Sequence, residues 1–182
     1  MDHHDHVALL RPGITRTGGV WADLGSGTGA FTLALADLLG PDVTIYSVDR
    51  DGRSLKEQAD ALHRRFPETK LHTIQADFTR PLDLPLLDGI VMANSLHFVR
   101  DKLPVVQAIR ELLNPAGSLL LVEYNVDRGN VWVPHPISFG SWQTLATAAG
   151  FVDTSWLNAR PSRFLREIYS ARSISDPSVA AN

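Results

Sequence analysis

The chain has no cysteine in 182 residues. That excludes a disulfide framework, a thiolate zinc site and a cysteine nucleophile, and with them any enzyme that forms a covalent thioether or holds arsenic through thiols. Long hydrophobic runs are missing too. No apolar stretch approaches the roughly 18 to 20 residues that span a bilayer, so no membrane is expected among the partners. Positive charge is not in excess: 17 Lys and Arg face 20 Asp and Glu, a net charge of −3. A nucleic-acid partner calls for a basic footprint and is not expected. The start, Met1-Asp2-His3-His4-Asp5-His6, lacks the basic-then-apolar order of a signal peptide, and the expected location is the cytoplasm. What is present, 44% hydrophobic and 20% charged residues, suits one globular domain with a substantial core.

Strand and helix signals alternate along that domain. Val20 to Leu24 is a short apolar run that ends at a glycine cluster, as a buried parallel strand does. Ala30 to Leu39 is nearly apolar, keeps Phe31 and Leu35 on one face, and stops at Gly40-Pro41. Val43 to Val48 reads as a second strand. Ser54 and Glu57 fit a capping box, which predicts a helix from Ser54 carrying Leu55, Ala59, Leu62 and Phe66. Strands follow at Lys70 to Ala76, Gly89 to Asn94 and Ser118 to Tyr124, with a helix marked by Val105, Ile109 and Leu112 before the last. After a looser stretch, Asn125 to Phe139, a stripe of Trp142, Leu145, Ala146 and Ala149 predicts a helix ended by Gly150. Val152 to Leu157 and Glu167 to Arg172 pair as a terminal hairpin. The expected fold is α/β: a three-layer sandwich around a mostly parallel seven-stranded sheet with an antiparallel C-terminal hairpin. Residues 1–172 form the domain, with 1–19 a short helical lead-in, and 173–182 are expected to be a disordered tail.

Ligands of such sheets bind beyond the carboxyl ends of the strands. Between the first strand and helix lies Asp23-Leu24-Gly25-Ser26-Gly27-Thr28-Gly29. Alternate glycines let the backbone turn tightly and approach a ligand, and the helix start behind them offers free N–H donors. Gly25, Gly27 and Ala30 also satisfy the spacing of the nicotinamide fingerprint. Asp49 follows the second strand, 22 residues after Gly27, where a carboxylate can accept from ribose hydroxyls. Asp77 follows the third strand, where a carboxylate can meet the exocyclic amine of an adenine. No lysine or arginine stands between Val20 and Ala36 to serve a phosphate.

Together these segments resemble class I S-adenosylmethionine-dependent methyltransferases, across roughly residues 18 to 172. Val20 to Gly29 is similar to their motif I, Ser47-Val48-Asp49-Arg50 to the ribose motif, and Ala76-Asp77-Phe78 to the adenine motif. Asp88 to Phe98 resembles motif IV, and Leu113 to Leu119 the turn before the fifth strand. The resemblance implies a Rossmann-like fold, the cofactor S-adenosyl-L-methionine and the product S-adenosyl-L-homocysteine. It further implies that Asp23 faces the cofactor's ammonium, with Gly25, Ser26, Gly27, Thr28 and Gly29 holding its amino-acid end. Asp49 would bind the ribose, Arg50 pack beside the adenine, and Asp77 with Phe78 read the adenine edge. Asn94 and Leu96 would line the path to the methyl group.

The acceptor is expected to be a small molecule methylated on O, N or C by in-line displacement. Proximity alone supplies up to about 7 to 11 kcal/mol in favourable systems, so a base is needed mainly for a poorly acidic hydroxyl or carbon. His97, just beyond the fourth strand, is the candidate base. Motif IV lacks the Asn-Pro-Pro-aromatic pattern of enzymes that methylate exocyclic amines of bases or glutamine. Tyr124, Arg128, Trp132 and His135 are candidates for the acceptor pocket. The histidines of the start, His3, His4 and His6, read as a frayed terminus, and no metal is expected. The short lead-in implies an open site or one closed by a partner subunit, as in a homodimer. Two other readings stand beside this one: a nicotinamide oxidoreductase, and a non-catalytic module that binds S-adenosylmethionine to regulate a partner.

Overall fold

A computed structural model of the chain describes residues 1–162 and 164–178. Helix α1 (His3–Leu10) runs through a short 3₁₀ turn (Arg11–Gly13) into β1 (Gly19–Leu24). Then come α2 (Ala30–Leu39), β2 (Val43–Asp49), α3 (Gly52–Arg65), β3 (Lys70–Gln75) and β4 (Leu87–Ala93). A second 3₁₀ turn (Leu96–Phe98) leads to α4 (Lys102–Arg110), β5 (Leu113–Tyr124), α5 (Phe139–Ala148), β6 (Phe151–Pro161) and β7 (Glu167–Ser175). The sheet has seven strands in the order β3-β2-β1-β4-β5-β7-β6. The first five pair in parallel, and β7 pairs antiparallel with both β5 and β6. This is the expected α/β architecture, with the hairpin at one edge.

The apolar strands bury both faces, because helices cover both. On one side Ile90, Met92, Leu119 and Leu121 pack with Val106, Ile109, Trp142 and Tyr169. On the other, Val91, Leu120 and Ile45 pack with Phe31, Leu35 and Leu39 of α2 and with Leu9 and Leu10 of α1. Each of the larger fully buried side chains contributes about 1.5 to 3 kcal/mol. Two polar tips in this core find partners, as buried ones must: Trp142 Nε1 donates to Ser173 Oγ at 3.2 Å, and the Tyr169 hydroxyl to the Ile137 carbonyl at 3.1 Å.

Three expectations change. Helix α3 begins at Gly52 under an Asp51 cap that accepts from Arg53 N, not at Ser54; the Ser54 hydroxyl donates back to Asp51 instead. The domain does not end at 172, since Ser173 and Ser175 are buried positions of β7. Of the expected tail, 179–182 lie outside the described residues. The N-terminus is not frayed: Asp2 and Asp5 form a reciprocal capping box. His3 Nε2 lies 2.9 Å from Asp37, and His6 packs on Phe31. Among the described residues no three His, Asp or Glu side chains are grouped to hold a metal. No helix among them is long and apolar enough to cross a membrane.

Candidate active site

Strand order reverses between β1 and β4, and a cleft opens there at the carboxyl ends. The loop after β1 is held down by its own backbone. Gly25 N and Ser26 N both donate to the Val48 carbonyl, at 2.8 and 3.1 Å. Gly25 has φ +78° and an added Cβ would lie 2.5 Å from Ser95 Cβ; Gly29 has φ +85° and would meet Gln58 Cβ at 2.5 Å. Both positions therefore require glycine, for backbone freedom and for space.

Asp49 ties this loop to β2. Its Oδ2 accepts from Gly27 N at 2.8 Å and its Oδ1 from Asp51 N at 2.9 Å. Asp77 accepts from the backbone and hydroxyl of Thr79, at 2.9 and 2.7 Å, and lies 3.5 Å from Arg50. Those hydrogen bonds, with the Arg50 charge, hold its carboxyl below the usual range. Gly25, Asp49, Arg50, Asp77, Phe78 and Asn94 line one cavity of about 390 Å³ with Ser95, Phe98 and Val99. Asn94 takes a left-handed backbone (φ +53°), and its side-chain oxygen is buried with no hydrogen-bond partner.

The remaining expected residues are placed differently. Asp23 lies beneath the loop rather than in the cavity, 1% exposed, accepting from Thr32 at 2.7 Å. Burial first, then repulsion from Asp49, raises its pKa to about 7 against the opposing Thr32 hydrogen bonds. Leu96 is not on the cavity wall; it is wholly buried in the core, because the 3₁₀ turn points it inward. Arg128 and Trp132 are exposed on the loop after β5, whose anchor is the buried Val133. His135 contributes its N–H to the His97 carbonyl at 3.0 Å. Tyr124 lines a separate cavity of about 460 Å³, with Asp5, Pro161, Ser162 and Phe164. The four candidates for an acceptor pocket are thus not brought into one cavity.

His97 has a partner that sequence reasoning missed. Its Nδ1 lies 3.0 Å from Glu123 Oε2, and its backbone N–H donates to Glu123 Oε1 at 3.0 Å. Glu123 is fully buried and His97 nearly so. A carboxylate against Nδ1 fixes the ring and favours the tautomer that leaves Nε2 as proton acceptor. The His97 ring stands 4.3 Å from that of Phe98, which lines the cleft, and 6.0 Å from that of Tyr124, which lines the second cavity. The signal in the sequence was one charge inside the most apolar strand, Leu119-Leu120-Leu121-Val122-Glu123.

A family profile described as a methyltransferase domain matches residues 22–119, from β1 into β5. The chain belongs to this family of S-adenosylmethionine-dependent methyltransferases. It is 31% identical over 133 residues to the carboxy-S-adenosyl-L-methionine synthase of Chromohalobacter salexigens, covering 70% of this chain and 49% of that protein. It is 28% identical over 111 residues to the ubiquinone/menaquinone biosynthesis C-methyltransferase UbiE of Pseudomonas fluorescens, covering 60% and 43%. The chain thus spans no more than about half the length of these relatives. Among solved structures, the 1,6-didemethyltoxoflavin-N1-methyltransferase of Burkholderia thailandensis, with S-adenosylhomocysteine bound, superposes with a TM-score of 0.73 at 20% identity, covering 96% of this chain and 78% of that one. The CurJ carbon methyltransferase gives 0.69 at 17%, covering 90% and 50%. These two likenesses establish the shared fold. The family match favours S-adenosylmethionine over a nicotinamide cofactor for the Gly25, Gly27 and Ala30 loop.

Proposed function

We propose that this chain transfers the methyl group of S-adenosylmethionine to a carbon of a small-molecule acceptor, with His97 removing the proton from that carbon. The observation that carries this reading is the buried His97–Glu123 pair, whose imidazole packs on Phe98 of the cleft wall and stands 6.0 Å from Tyr124 of the second cavity. Methyl transfer to a thiol or amine needs no such base, whereas a carbon acid must lose a proton to become a nucleophile. A buried carboxylate that orients a histidine also stabilises the imidazolium formed when the ring accepts that proton. Relatives named as C-methyltransferases, UbiE and CurJ, add support.

The cleft residues suit the cofactor. The Gly25–Gly29 backbone gives close approach, Asp49 stands at the ribose position, and Asp77 with the Phe78 backbone stands at the adenine edge. Arg50 keeps Asp77 in place from an exposed position. The partnerless Asn94 oxygen gives a ligand an acceptor at the cleft floor. Acids without a lysine or arginine in the loop match a cationic ligand that has no phosphate. When bound, this cofactor supplies an activated methyl group on a sulfonium. The acceptor then enters from the Tyr124 side, with the exposed Phe98 ring beside His97 at the boundary.

The test is product formation with a panel of 1,3-dicarbonyl compounds, phenols and amines, read by S-adenosylhomocysteine release and by mass spectrometry of the methylated product. Methylation at carbon, slowed about 10²- to 10⁴-fold in His97→Ala, is expected. Turnover of amines alone, untouched by His97→Ala, would refute the carbon-acid reading. Cofactor binding without turnover of any acceptor would favour a regulatory module.

A further inference from the structure

The glycine loop rests on buried polar side chains whose contacts can be counted proton by proton. Thr32 and Gln58 are fully buried, and Asp23 nearly so. Thr32 Oγ1 lies 2.7 Å from Asp23 Oδ2 and 2.9 Å from Gln58 Oε1. Gln58 Nε2 lies 3.0 Å from Ser26 Oγ and 2.7 Å from Ser47 Oγ, and the two serine oxygens are 2.7 Å apart. A hydroxyl has one proton to donate and an amide nitrogen has two.

Let Gln58 Nε2 donate to both serines and Ser47 donate to Ser26. The Gln58 carbonyl then accepts the single Thr32 proton. Nothing is left for the short contact between Thr32 and Asp23, unless the carboxyl itself brings a proton. Turning the Gln58 amide over does not help. Its oxygen would face both serines, and two serine protons would serve three contacts. A protonated Asp23 is the arrangement in which every contact of the set has a donor and an acceptor.

The surroundings favour the same state. β4 sets apolar Val91 beside Asp23 and β2 sets neutral Ser47 there, while α2 and α3 present Thr32 and Gln58. Asp49 is the charged group that acts on it, and its sign is repulsive. Among the described residues no Lys, Arg or His forms an ion pair with Asp23, and His6 of α1 packs on Phe31 instead.

We propose that Asp23 carries a proton in the cofactor-free chain and releases it to solvent when the cationic cofactor binds the loop above. One proton leaves per cofactor bound, and Thr32 turns its own proton from Gln58 to the new carboxylate. Asp23 thereby acts as a positioning residue and buried counter-ion. An approaching cation favours the ionised form of a neutral carboxyl, which is the driving force. The release step rests on the cofactor reading above; the resting protonation does not.

Two measurements separate these halves. In the cofactor-free protein the folded-state pKa, about 7, lies above the reference value of 3.8. Its stabilising contribution is therefore full below the reference value and is lost as pH rises through about 7. Chemical denaturation from about pH 5 to 8 should show this loss in the unaltered chain and not in Asp23→Asn, whose amide donates to Thr32 as the acid does. A variant that is destabilised at about pH 6, with the pH slope unchanged, would mean an ionised Asp23 and overturn the proposal. If the variant does not fold, infrared spectra of the unaltered protein decide. A carboxylic-acid carbonyl band present at about pH 6 and lost by about pH 8 is expected, and its absence at the lower pH overturns the proposal. Calorimetry with S-adenosylmethionine in buffers of different ionisation enthalpy then counts protons. The unaltered chain should release close to one more than Asp23→Asn at about pH 6, a difference that cancels titration of the ligand's own amine. Relative to the variant, its affinity should rise about tenfold between pH 6 and 8. Equal proton release refutes the coupling. Absence of binding to either protein refutes the cofactor reading and leaves the denaturation result standing.

Discussion

Glu123→Gln isolates the carboxylate of the buried pair with little change of shape. Glu123 accepts from His97 N and Tyr124 N, at 3.0 and 3.3 Å, and stands 3.0 Å from His97 Nδ1. A glutamine has one oxygen to accept and an amide that donates. If the oxygen stays on the His97 backbone N–H it still lies 3.1 Å from Nδ1, but the amide takes the closer place at 3.0 Å, turns its protons on that nitrogen and favours the tautomer in which Nδ1 accepts. The ring proton moves to Nε2, and His97 can no longer take a proton from a carbon acid. Loss of a general base corresponds to about 10²- to 10⁴-fold in kcat, or roughly 3 to 5.5 kcal/mol of barrier at 1.36 kcal/mol per tenfold. Folding stability should fall less, by about 1 to 3 kcal/mol, the range for hydrogen bonds lost around a buried charged group. Single-turnover methyl transfer measures the first quantity and urea denaturation the second, with cofactor Kd as a control expected to hold. A variant that keeps kcat within about threefold while losing stability would show that Glu123 supports the fold and not the chemistry.

Asp49→Ala should weaken S-adenosylmethionine binding by about 1 to 3 kcal/mol by calorimetry, with the Gly27 N–H losing its acceptor as well; unchanged affinity would place the ribose elsewhere. Gly25→Ala should abolish measurable binding while the chain still folds, since its φ of +78° and the 2.5 Å approach to Ser95 both resist a Cβ; circular dichroism separates the two effects. Trp142→Ala should lower stability by about 3 to 5 kcal/mol in denaturant titrations, because the side chain is wholly buried and its indole holds Ser173; a loss under about 1 kcal/mol would contradict the packing described.

How much of this was legible in the sequence depended on the distance over which each interaction acts. Helix α2 was read to its ends in the structure, Ala30 and Leu39, because a glycine turn and Gly40-Pro41 mark both limits locally. The start of α3 was missed by two residues although its signals are local as well. Asp51 and Ser54 are both good caps; Asp51 took the position and Ser54 became its hydrogen-bond donor. The hairpin strands run longer than their alternation suggested, because β7 is covered on both sides and tolerates small polar residues such as Ser170, Ser173 and Ser175. Asp49 and Asp77 were legible because one ends β2 and the other lies just beyond β3, and the carboxyl end of a parallel strand is what brings a side chain to the cleft.

The two groups that went unread, Glu123 and Gln58, share a cause. Glu123 stands one residue before the end of β5 but is wholly buried, Gln58 lies in the middle of α3, and each meets its partner across tertiary packing: Glu123 from β5 to the turn after β4, Gln58 from α3 to α2, β2 and the loop. Both leave one faint trace, a polar residue on the inward face of an otherwise apolar or amphipathic element. Gln58 stands among the buried positions of α3 with Leu55 and Leu62, where helical spacing calls for an apolar side chain. A buried polar group without a partner costs about 1 to 3 kcal/mol, so an inward glutamine or glutamate implies a partner that periodicity cannot name. His97 and Asp23 were both identified from their places beside the strands. The chemistry proposed for them rests on their neighbours: Glu123 on Nδ1 of His97, and the Thr32–Gln58 pair beside Asp23.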